Sequence, residues 1–335
     1  MTTPPAVALV VFNRPALTAR VLDRILASDT GPIMVFGDGP RDAAEEPVVA
    51  AVRRTVSERA DPRLSVDFAS ENLGMRRSFE RAIDGLMAAH GRGVVLEDDT
   101  LPAPGFFAFM GELLERYADD DRIGMVCGQR LAPLPERVGA APRVGAFPEP
   151  YDYGFSHIGT PWGWGTWARA WRGSYPRDLD RVWPPFRDSG RLERLLGRTT
   201  AREWQGLLEY LPNLDSYWYR WTLGKWVHSQ LSIVPRVNLV ENLGLGDEAG
   251  TLTGRGSFHA RFRSWPAEAP APVLRHPPHL GVRSVEAEQA FSEWVLPSSE
   301  LKRIAKRAIL EGPLPAAHAL GRRLRRTGRL PLRGP

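Results

Sequence analysis

Two stretches of the chain have the pattern of buried strands that end in polar side chains. Residues 6–15 read AVALVVFNRP, and residues 93–100 read GVVLEDDT. In each, an apolar run of strand length is followed at once by residues that carry charge. Continuously apolar runs are typical of parallel strands that are covered by helices on both faces. Because ligands of such sheets bind beyond the carboxyl ends of the strands, these two junctions are the first candidates for a site.

The first 127 residues alternate apolar runs with helical patterns. Strands are predicted over residues 6–12, 33–36, 64–68, 93–96 and 123–127, and helices over 15–27, 43–59, 75–90 and 105–117. Strands that alternate with helices of this length favour a mostly parallel, Rossmann-like α/β sheet flanked by helices. Residues 1–130 are therefore predicted to be one half of a single α/β domain.

The second half of the chain has a different composition. Nine of the 11 tryptophans fall between residues 162 and 226, among Gly, Pro and Tyr. We expect residues 131–265 to be an aromatic, loop-rich half of the same domain that closes over the sheet, with a strand at 231–235. Residues 266–298 are rich in proline and are predicted to form an extended strap.

The positive charge of the chain is concentrated at its C-terminal end. The formal charge is +5, yet residues 299–335 hold ten Lys and Arg against two Glu, so residues 1–298 carry a net charge of −3. The apolar spacing of this tail predicts a basic helix, which either contacts an anionic membrane face or is a solvated end. An acidic body offers no support for nucleic-acid binding.

The cysteine content limits redox and metal chemistry. Cys127 is the only cysteine in the sequence, which excludes an intramolecular disulfide framework and a zinc site built on cysteine. This fits a reducing setting, and the apolar run near the start is too short for a signal peptide or a membrane span. We expect a cytoplasmic protein, bound peripherally to the inner face of the membrane if the tail is an anchor.

The residues after the first two strands suit a nucleotide. The turn at 12–15 has no glycine and the chain has no GxxxxGK[ST] motif, which argues against dinucleotide-binding and P-loop interpretations. Arg14 instead offers a planar fork of donors to a base or phosphate, the alternative being an ordinary surface arginine. Asp38, between two glycines, either accepts hydrogen bonds from a base or ribose or caps the next helix.

Charged residues follow the third and fourth strands. Asn72 precedes a helix start that carries Arg77, and this start either holds a phosphate or is a capped, solvated end. Glu97, Asp98 and Asp99 come directly after a buried strand, where adjacent carboxylates repel one another unless a cation compensates. Such oxygens suit Mg²⁺ or Mn²⁺ bound with a diphosphate, although an acidic helix start gives the same pattern.

Two segments of the second half are candidates for the acceptor side of a site. Residues 155–167 alternate tryptophan with glycine, so that indole faces can stack on a sugar or, alternatively, fill the core. Asp215 lies among aromatic residues and is either a general base or a helix N-cap. A third segment, residues 241–248, is either a lid over the site or a plain loop. The candidates for acceptor contacts are His157, Trp162, Trp164 and Gly165.

Taken together, these motifs resemble the nucleotide-diphospho-sugar transferases of the GT-A fold. The likeness is strongest to a bacterial group related to the N-acetylglucosaminyltransferases that start complex N-glycans, and it runs over about residues 6–255. The segments that carry it are 10–15 (VVFNRP), 38–41 (DGPR), 72–74 (NLG), 96–99 (LEDD), 162–167 (WGWGTW), the aromatic segment ending at Trp221, and the run from 232–235 (SIVP) to 242–244 (NLG).

The resemblance implies inverting transfer of a hexosyl or N-acetylhexosaminyl group from a nucleotide-sugar donor to a carbohydrate-type or small-molecule acceptor, with Mn²⁺ or Mg²⁺ as cofactor. By that likeness Arg14 and Asp38 hold the base and the ribose. Glu97 and Asp98 touch the ribose and the sugar, and Asp99 binds the metal. The full set expected at the nucleotide-sugar is Asn13, Arg14, Asp38, Asn72, Arg77, Glu97 and Asp98.

Two departures from the family pattern bear on catalysis. Related sequences often have an aspartate where this chain has Trp218, so Asp215 is the expected base by default. They also tend to have Gly-Thr-His-Thr in the later loop, whereas residues 250–253 read GTLT, with His259 as a weak substitute for the histidine. The alternative function is a catalytically impaired module that binds a carbohydrate or a nucleotide-sugar.

Overall fold

The structure is a computed structural model of the chain. It describes residues 3–130, 150–244, 268–271 and 273–283, together with Val285, Glu288, Gln289 and Ser292. The predictions for the basic tail and for His259, and parts of those for the strap and for the 241–248 segment, lie outside these residues. Within the described residues, no helix is both long enough and apolar enough to span a membrane.

The first half of the chain alternates strands and helices. Its elements are β1 (Val7–Val11), α1 (Pro15–Leu26), β2 (Ile33–Gly37), α2 (Glu46–Ser57), β3 (Leu64–Phe68), α3 (Gly74–His90) and β4 (Arg92–Glu97). The strands lie in the order β3-β2-β1-β4, and every neighbouring pair is parallel, as predicted. All five residues of β1 are buried, which explains why its sequence is continuously apolar.

The second half continues the same sheet. Its elements are β5 (Thr100–Pro102), α4 (Phe106–Arg116), β6 (Ile123–Cys127), β7 (Tyr153–Ser156), β8 (Trp164–Trp167), α5 (Ala168–Ser174), α6 (Leu179–Asp188), α7 (Arg191–Leu196), α8 (Arg198–Leu208), a 3₁₀ helix (Leu211–Asn213), α9 (Tyr217–Val227), β9 (Leu231–Pro235) and β10 (Val240–Asn242). The order continues β4-β8-β6-β9-β7, in which β6 and β9 are parallel and the other pairs antiparallel. The described residues thus form a mixed α/β fold with one eight-stranded sheet flanked by helices, and the predicted fold class is confirmed.

The prediction of a loop-rich second half is wrong. Most of the chain between β8 and β9 is helical, in α5 to α9. α9 is buried on nearly all sides, so its sequence lacks the alternating apolar and polar faces that identify an amphipathic helix. α6 contains Pro184 and Pro185, residues that normally disfavour a helix interior. Tertiary packing therefore overrides the local signals in this half.

Most of the tryptophans fill the core, which is the alternative interpretation of the indole-rich segment. Trp164 and Trp171 pack together with Trp221 of α9, with ring centroids 5.3 to 6.5 Å apart. Because successive residues of a strand face opposite sides of the sheet, Gly165 of β8 faces away from Trp164, toward Leu114 of α4. α4 and α9 therefore cover opposite faces of the sheet.

Candidate active site

Three carboxyl groups collect where the carboxyl ends of β1 and β4 meet. The strand register places Glu97, the last residue of β4, beside Val10 of β1. The backbone N–H of Phe12 donates to Oδ2 of Asp98 over 3.3 Å. Asp99 then lies between β4 and β5. We call Glu97, Asp98 and Asp99 the acidic edge.

Arg14 is the cation that faces the acidic edge. Its Nη1 donates to Oδ2 of Asp99 over 2.5 Å and to Oδ1 of Asp98 over 3.3 Å. Only 16% of the Arg14 side chain and 10% of each aspartate side chain are exposed. Arg14 directly precedes Pro15, the first residue of α1, so its backbone lies in the turn between strand and helix.

Burial and crowding change the proton affinity of this cluster. Burial, followed by the charges of Asp99 and Asp98, raises the pKa of Glu97 well above its ordinary value. Burial and Asp99 likewise raise the pKa of Asp98 to about 7. Burial opposes the charge of Arg14, but the attraction of Asp98 and Asp99 outweighs it and raises the pKa of Arg14. One arginine compensates three carboxyl groups incompletely, so a further cation would stabilise their charged form.

The segment after β10 closes over Asp99. The N–H of Leu243 donates to the carbonyl of Asp99 over 2.7 Å. A Cβ atom on Gly244 would come within 2.1 Å of Oδ2 of Asp99, so a side chain at this position has no room. Oδ1 of Asn242 holds the N–H of Gly244 at 2.9 Å. Asp99 is therefore enclosed by Arg14 and by the main chain of this segment.

The donor set of the acidic edge fits a divalent cation that is shared with a ligand. Carboxylate oxygens are the ligands that Mg²⁺ and Mn²⁺ prefer in proteins. Among the described residues, no group of three His, Cys, Asp or Glu side chains is arranged to hold a metal ion. The protein thus offers Asp99, with Asp98 beside it, and the remaining ligands would be phosphate oxygens and water.

The hydroxyl of Tyr217 is buried close to Glu97. Tyr217, the first residue of α9, stacks on Phe79 with ring centroids 4.1 Å apart and lies 6.3 Å from the ring of Trp164. The hydroxyl of Tyr217 and Nε1 of Trp164 face each other, but neither completes a hydrogen bond of good geometry. Burial and the charge of Glu97 raise the pKa of Tyr217 well above its ordinary value, against a smaller opposing effect of the Trp164 N–H. Because buried polar atoms are normally well paired, the Tyr217 hydroxyl is a candidate for contact with a ligand.

Two carboxylates occupy the N-terminus of α3. Asp38 accepts the N–H groups of Leu73 and Gly74 over 2.8 and 3.2 Å. Asp215 accepts the next two N–H groups along the chain over 2.8 and 3.1 Å. The N–H groups that a helix leaves free at its start are thus taken by the protein's own acids. The predicted phosphate site at this helix start is therefore wrong, and the capped alternative holds.

The remaining nucleotide candidates make contacts within the protein. Asp38 also accepts the side-chain amide of Asn72 over 3.2 Å. The side-chain amide of Asn13 donates to Glu45 over 3.2 Å, and Arg77 is exposed on α3. The assignment of these residues to a nucleotide-sugar stays a prediction.

The acceptor candidates do not lie together. Trp164 is fully buried in the aromatic core, and Gly165 lies inside β8 and faces α4. His157 follows β7, which runs antiparallel to β9 and so ends at the opposite edge of the sheet from the acidic edge. Burial lowers the pKa of His157 to about 4, which keeps it neutral. Acceptor contacts from His157 and Gly165 are thus wrong for a site at the acidic edge, and the assignment of Trp162 stays a prediction.

Tyr217 and Gly244 are the residues of this site to which the sequence analysis gave no function. Tyr217 lies two residues after Asp215 in a run of aromatic residues. The local sequence does not distinguish a tyrosine that contacts a ligand from an aromatic residue of the core. Gly244 closes the second NLG segment, and its contact with Asp99 is visible only once β10 pairs with β5.

Comparison with known proteins assigns no family to this chain. No protein-family model matches this chain, and no curated protein sequence matches it. Among solved structures, the chain is similar to the mannosyltransferase PcManGT from Pyrobaculum calidifontis, in complex with GDP-Man and Mn²⁺. The identity is 16% over 98% of this chain and 82% of that chain, with a TM-score of 0.40. A similarity this low does not assign an activity, which has to be argued from the site.

Proposed function

We propose that the protein is a metal-dependent glycosyltransferase that moves a sugar from a nucleotide-diphospho-sugar to an acceptor hydroxyl. The observation that carries the proposal is the acidic edge, where a single arginine faces three carboxyl groups, those of the buried Asp98 and Asp99 and of the half-buried Glu97, beside the poorly paired hydroxyl of Tyr217. A cation bound with a diphosphate would balance the excess negative charge, and the Tyr217 hydroxyl would pair with a sugar hydroxyl. The order of the sequence motifs supports the same function.

Asp99 and Asp98 would hold Mn²⁺ or Mg²⁺. Such a cation, when bound, neutralises charge that develops on a leaving diphosphate. Arg14 lies against both carboxylates and presents a planar fork of donors, which suits it to the phosphate oxygens. The main chain at Gly244 limits the access of water to this part of the site.

Tyr217 and Glu97 would orient the transferred sugar, a hexosyl or N-acetylhexosaminyl group. The Tyr217 hydroxyl is buried beside Glu97, and its contact with the Trp164 indole N–H is not a hydrogen bond of good geometry. A sugar hydroxyl that pairs with Tyr217 would therefore displace only this weak contact. This makes Tyr217 and Glu97 the candidates for recognition of the sugar.

Asp215 is the proposed base. It would take the proton from the acceptor hydroxyl while that oxygen attacks the anomeric carbon and the bond to the diphosphate breaks, which inverts the configuration. Its carboxylate is exposed, at the same helix start as Asp38. Each oxygen accepts one backbone N–H and keeps a further lone pair for an acceptor.

The test is the release of nucleoside diphosphate from a panel of nucleotide-sugars with Mn²⁺, in the wild type and in Asp99→Asn. We expect release from at least one donor by the wild type. Release by the variant should be roughly a thousandfold slower, about 4 kcal/mol, because a cation ligand is lost. Asp120→Asn is the matched control, since Asp120 also pairs with an arginine but lies just before β6, at the other edge. Its release should equal that of the wild type.

The second candidate function is a module that binds a nucleotide-sugar without turnover. The presence of Trp218, where related sequences often have an aspartate, favours it. Calorimetric binding of a donor, with no release of nucleoside diphosphate across the panel, would decide for this module. The absence of both binding and release would contradict both functions.

A further inference from the structure

Arg14 lies where a cation bound to Asp99 would lie. Its Nη1 is 2.5 Å from Oδ2 of Asp99 and 3.3 Å from Oδ1 of Asp98. The other oxygen of Asp99 faces the buried hydroxyl of Thr100, at 3.5 Å. Mg²⁺ sits about 2.1 Å from a carboxylate oxygen, so a cation on Oδ2 would overlap the guanidinium. Arg14 and a divalent cation cannot both occupy this position.

The main chain closes the same position from another side. A Cβ atom on Gly244 would lie 2.1 Å from Oδ2 of Asp99 and 3.1 Å from Nη1 of Arg14. The arginine and the carboxylate are therefore enclosed as a pair, and a cation approaching Asp99 has to displace Arg14.

We propose that Arg14 is an internal counter-ion, which holds the cation position of the acidic edge in the ligand-free protein and moves to the diphosphate when metal and donor bind together. This inference rests on the proposed function. A metal ion alone would supply Asp99 with a cation but would take from Arg14 its closer partner and leave it only Asp98. A diphosphate gives Arg14 a new anionic partner, so the two ligands enter together.

Neutralising Arg14 should change the affinities for metal and for diphosphate in opposite directions, which loss of structure would not do. Removing the charge of Arg14 frees Asp99, so binding of the metal alone should become tighter. The same change removes a partner of the diphosphate, so binding of a nucleoside diphosphate in the presence of metal should become weaker. Coupling between the two ligands, which is reciprocal, should fall accordingly.

The experiment is Mn²⁺ binding to the full chain, followed by the electron paramagnetic resonance signal of free Mn²⁺, with UDP and GDP as the diphosphate probes. For Arg14→Gln we expect Mn²⁺ alone to bind at least tenfold more tightly than in the wild type, and the diphosphate to bind at least tenfold more weakly at saturating Mn²⁺. Arg14→Lys keeps the positive charge, and its affinity for Mn²⁺ alone should stay near that of the wild type. Arg14→Met is the second neutral variant if Arg14→Gln does not fold.

Arg122→Gln is the matched control, because it removes an arginine from an exposed pair with Asp120. It should leave both affinities unchanged. If the neutral Arg14 variant binds Mn²⁺ alone no more tightly than the wild type does, the inference is overturned and the proposed function still stands. A wild type that binds no Mn²⁺ with either diphosphate would overturn the proposed function and this inference with it.

Discussion

Arg14 and Lys225 are both buried cations, and the fold surrounds them in opposite ways. Arg14 lies against Asp98 and Asp99, whose attraction outweighs the effect of burial and raises its pKa. Lys225, on α9, is fully buried, and its ammonium donates to the hydroxyl of Ser232. Burial lowers the pKa of Lys225 to about 8, and no carboxylate among the described residues offsets this effect.

Lys225 fits into the core because small residues leave space for its side chain, whereas Arg14 is stabilised by carboxylates. A Cβ atom on Gly124 or Gly159 would lie 3.1 Å from atoms of the Lys225 side chain, so glycines make the room for it. The ring of Trp218 lies 6.0 Å from its nitrogen, at the outer limit of a cation–π contact. The acidic edge gathers more charge than the protein itself balances, which suits a charged ligand. The core under α9 instead holds one charge at a cost in stability.

Replacing Lys225 by Met removes this cost and gives the largest change in stability that we expect. The gap between the ordinary pKa of 10.5 and about 8 corresponds to about 3 kcal/mol for a buried group. We expect Lys225→Met to raise the free energy of unfolding by up to this amount at pH 7. The loss of the Ser232 partner reduces the gain. Denaturant unfolding of both proteins measures it.

The pH dependence of this gain has a definite sign. Below pH 8 the lysine is charged in both the folded and the unfolded states, and the burial cost is fully present. Between about pH 8 and 10.5 the unfolded wild type binds more protons than the folded one, so its stability rises relative to the variant. The gap should therefore shrink at pH 10. A gap that is the same at pH 7 and pH 10 would contradict an unpaired, titrating lysine, and exposed Arg122→Met is the control.

Asp215→Asn tests a carboxylate near the acidic edge whose partners in the structure are neutral. Asn keeps one acceptor oxygen and loses the other, so the free energy of unfolding should fall by at most about 1 kcal/mol. Loss of a general base should lower turnover at least a hundredfold, with donor binding retained. Unfolding, donor affinity and turnover are measured on the same preparation.

Asp178→Asn is the matched control for Asp215→Asn. Asp178 caps α6 by accepting two backbone N–H groups, as Asp215 does at α3, and it belongs to no part of the proposed site. Both of these N–H groups donate to Oδ1, which asparagine retains, so Asp178→Asn should lose no more stability than Asp215→Asn and should keep its turnover. If turnover of Asp215→Asn falls no further than that of the control, Asp215 is a helix cap and the base lies elsewhere.

The parallel half of the fold could be predicted because β1, β2 and β4 are largely buried, which makes their sequences apolar, and because its helices are amphipathic. Each predicted element there is present, with ends that differ by a few residues. The position of the acidic edge also followed, since parallel strands bring their carboxyl ends to one edge. In the aromatic half, α9 has no polar face to give a period, and its helix went unpredicted.

Contacts between segments that are distant in the chain could not be predicted from the sequence. Asp38 and Asp215 share the start of α3, although both looked locally like caps for helices beside them. The sequence offered Arg14 as a nucleotide ligand and Asp99 as a metal ligand, but not the ion pair between them. Such pairings depend on strand register and on which side chains converge, which local pattern does not encode.

Tyr217→Phe has the smallest expected effect. It connects the two regions, because α9 carries Tyr217 at one end, near the acidic edge, and Lys225 near the other end. Its hydroxyl is buried and completes no hydrogen bond of good geometry, so its removal should leave the free energy of unfolding unchanged or raise it by about 0.5 kcal/mol. Affinity for a nucleotide-sugar should fall about fivefold to tenfold, about 1 kcal/mol, through loss of one hydrogen bond.

The corresponding nucleoside diphosphate, which has no sugar, provides the discriminating measurement for Tyr217→Phe. Its affinity should not change, because the lost hydrogen bond belongs to the sugar. Tyr175→Phe is the matched control, since the Tyr175 hydroxyl donates to Glu80 over 2.6 Å and its loss should destabilise the fold without changing either affinity. Equal losses for nucleotide-sugar and nucleoside diphosphate would move Tyr217 from the sugar to the nucleotide. No loss for either ligand would leave its hydroxyl as an unpaired group of the aromatic core.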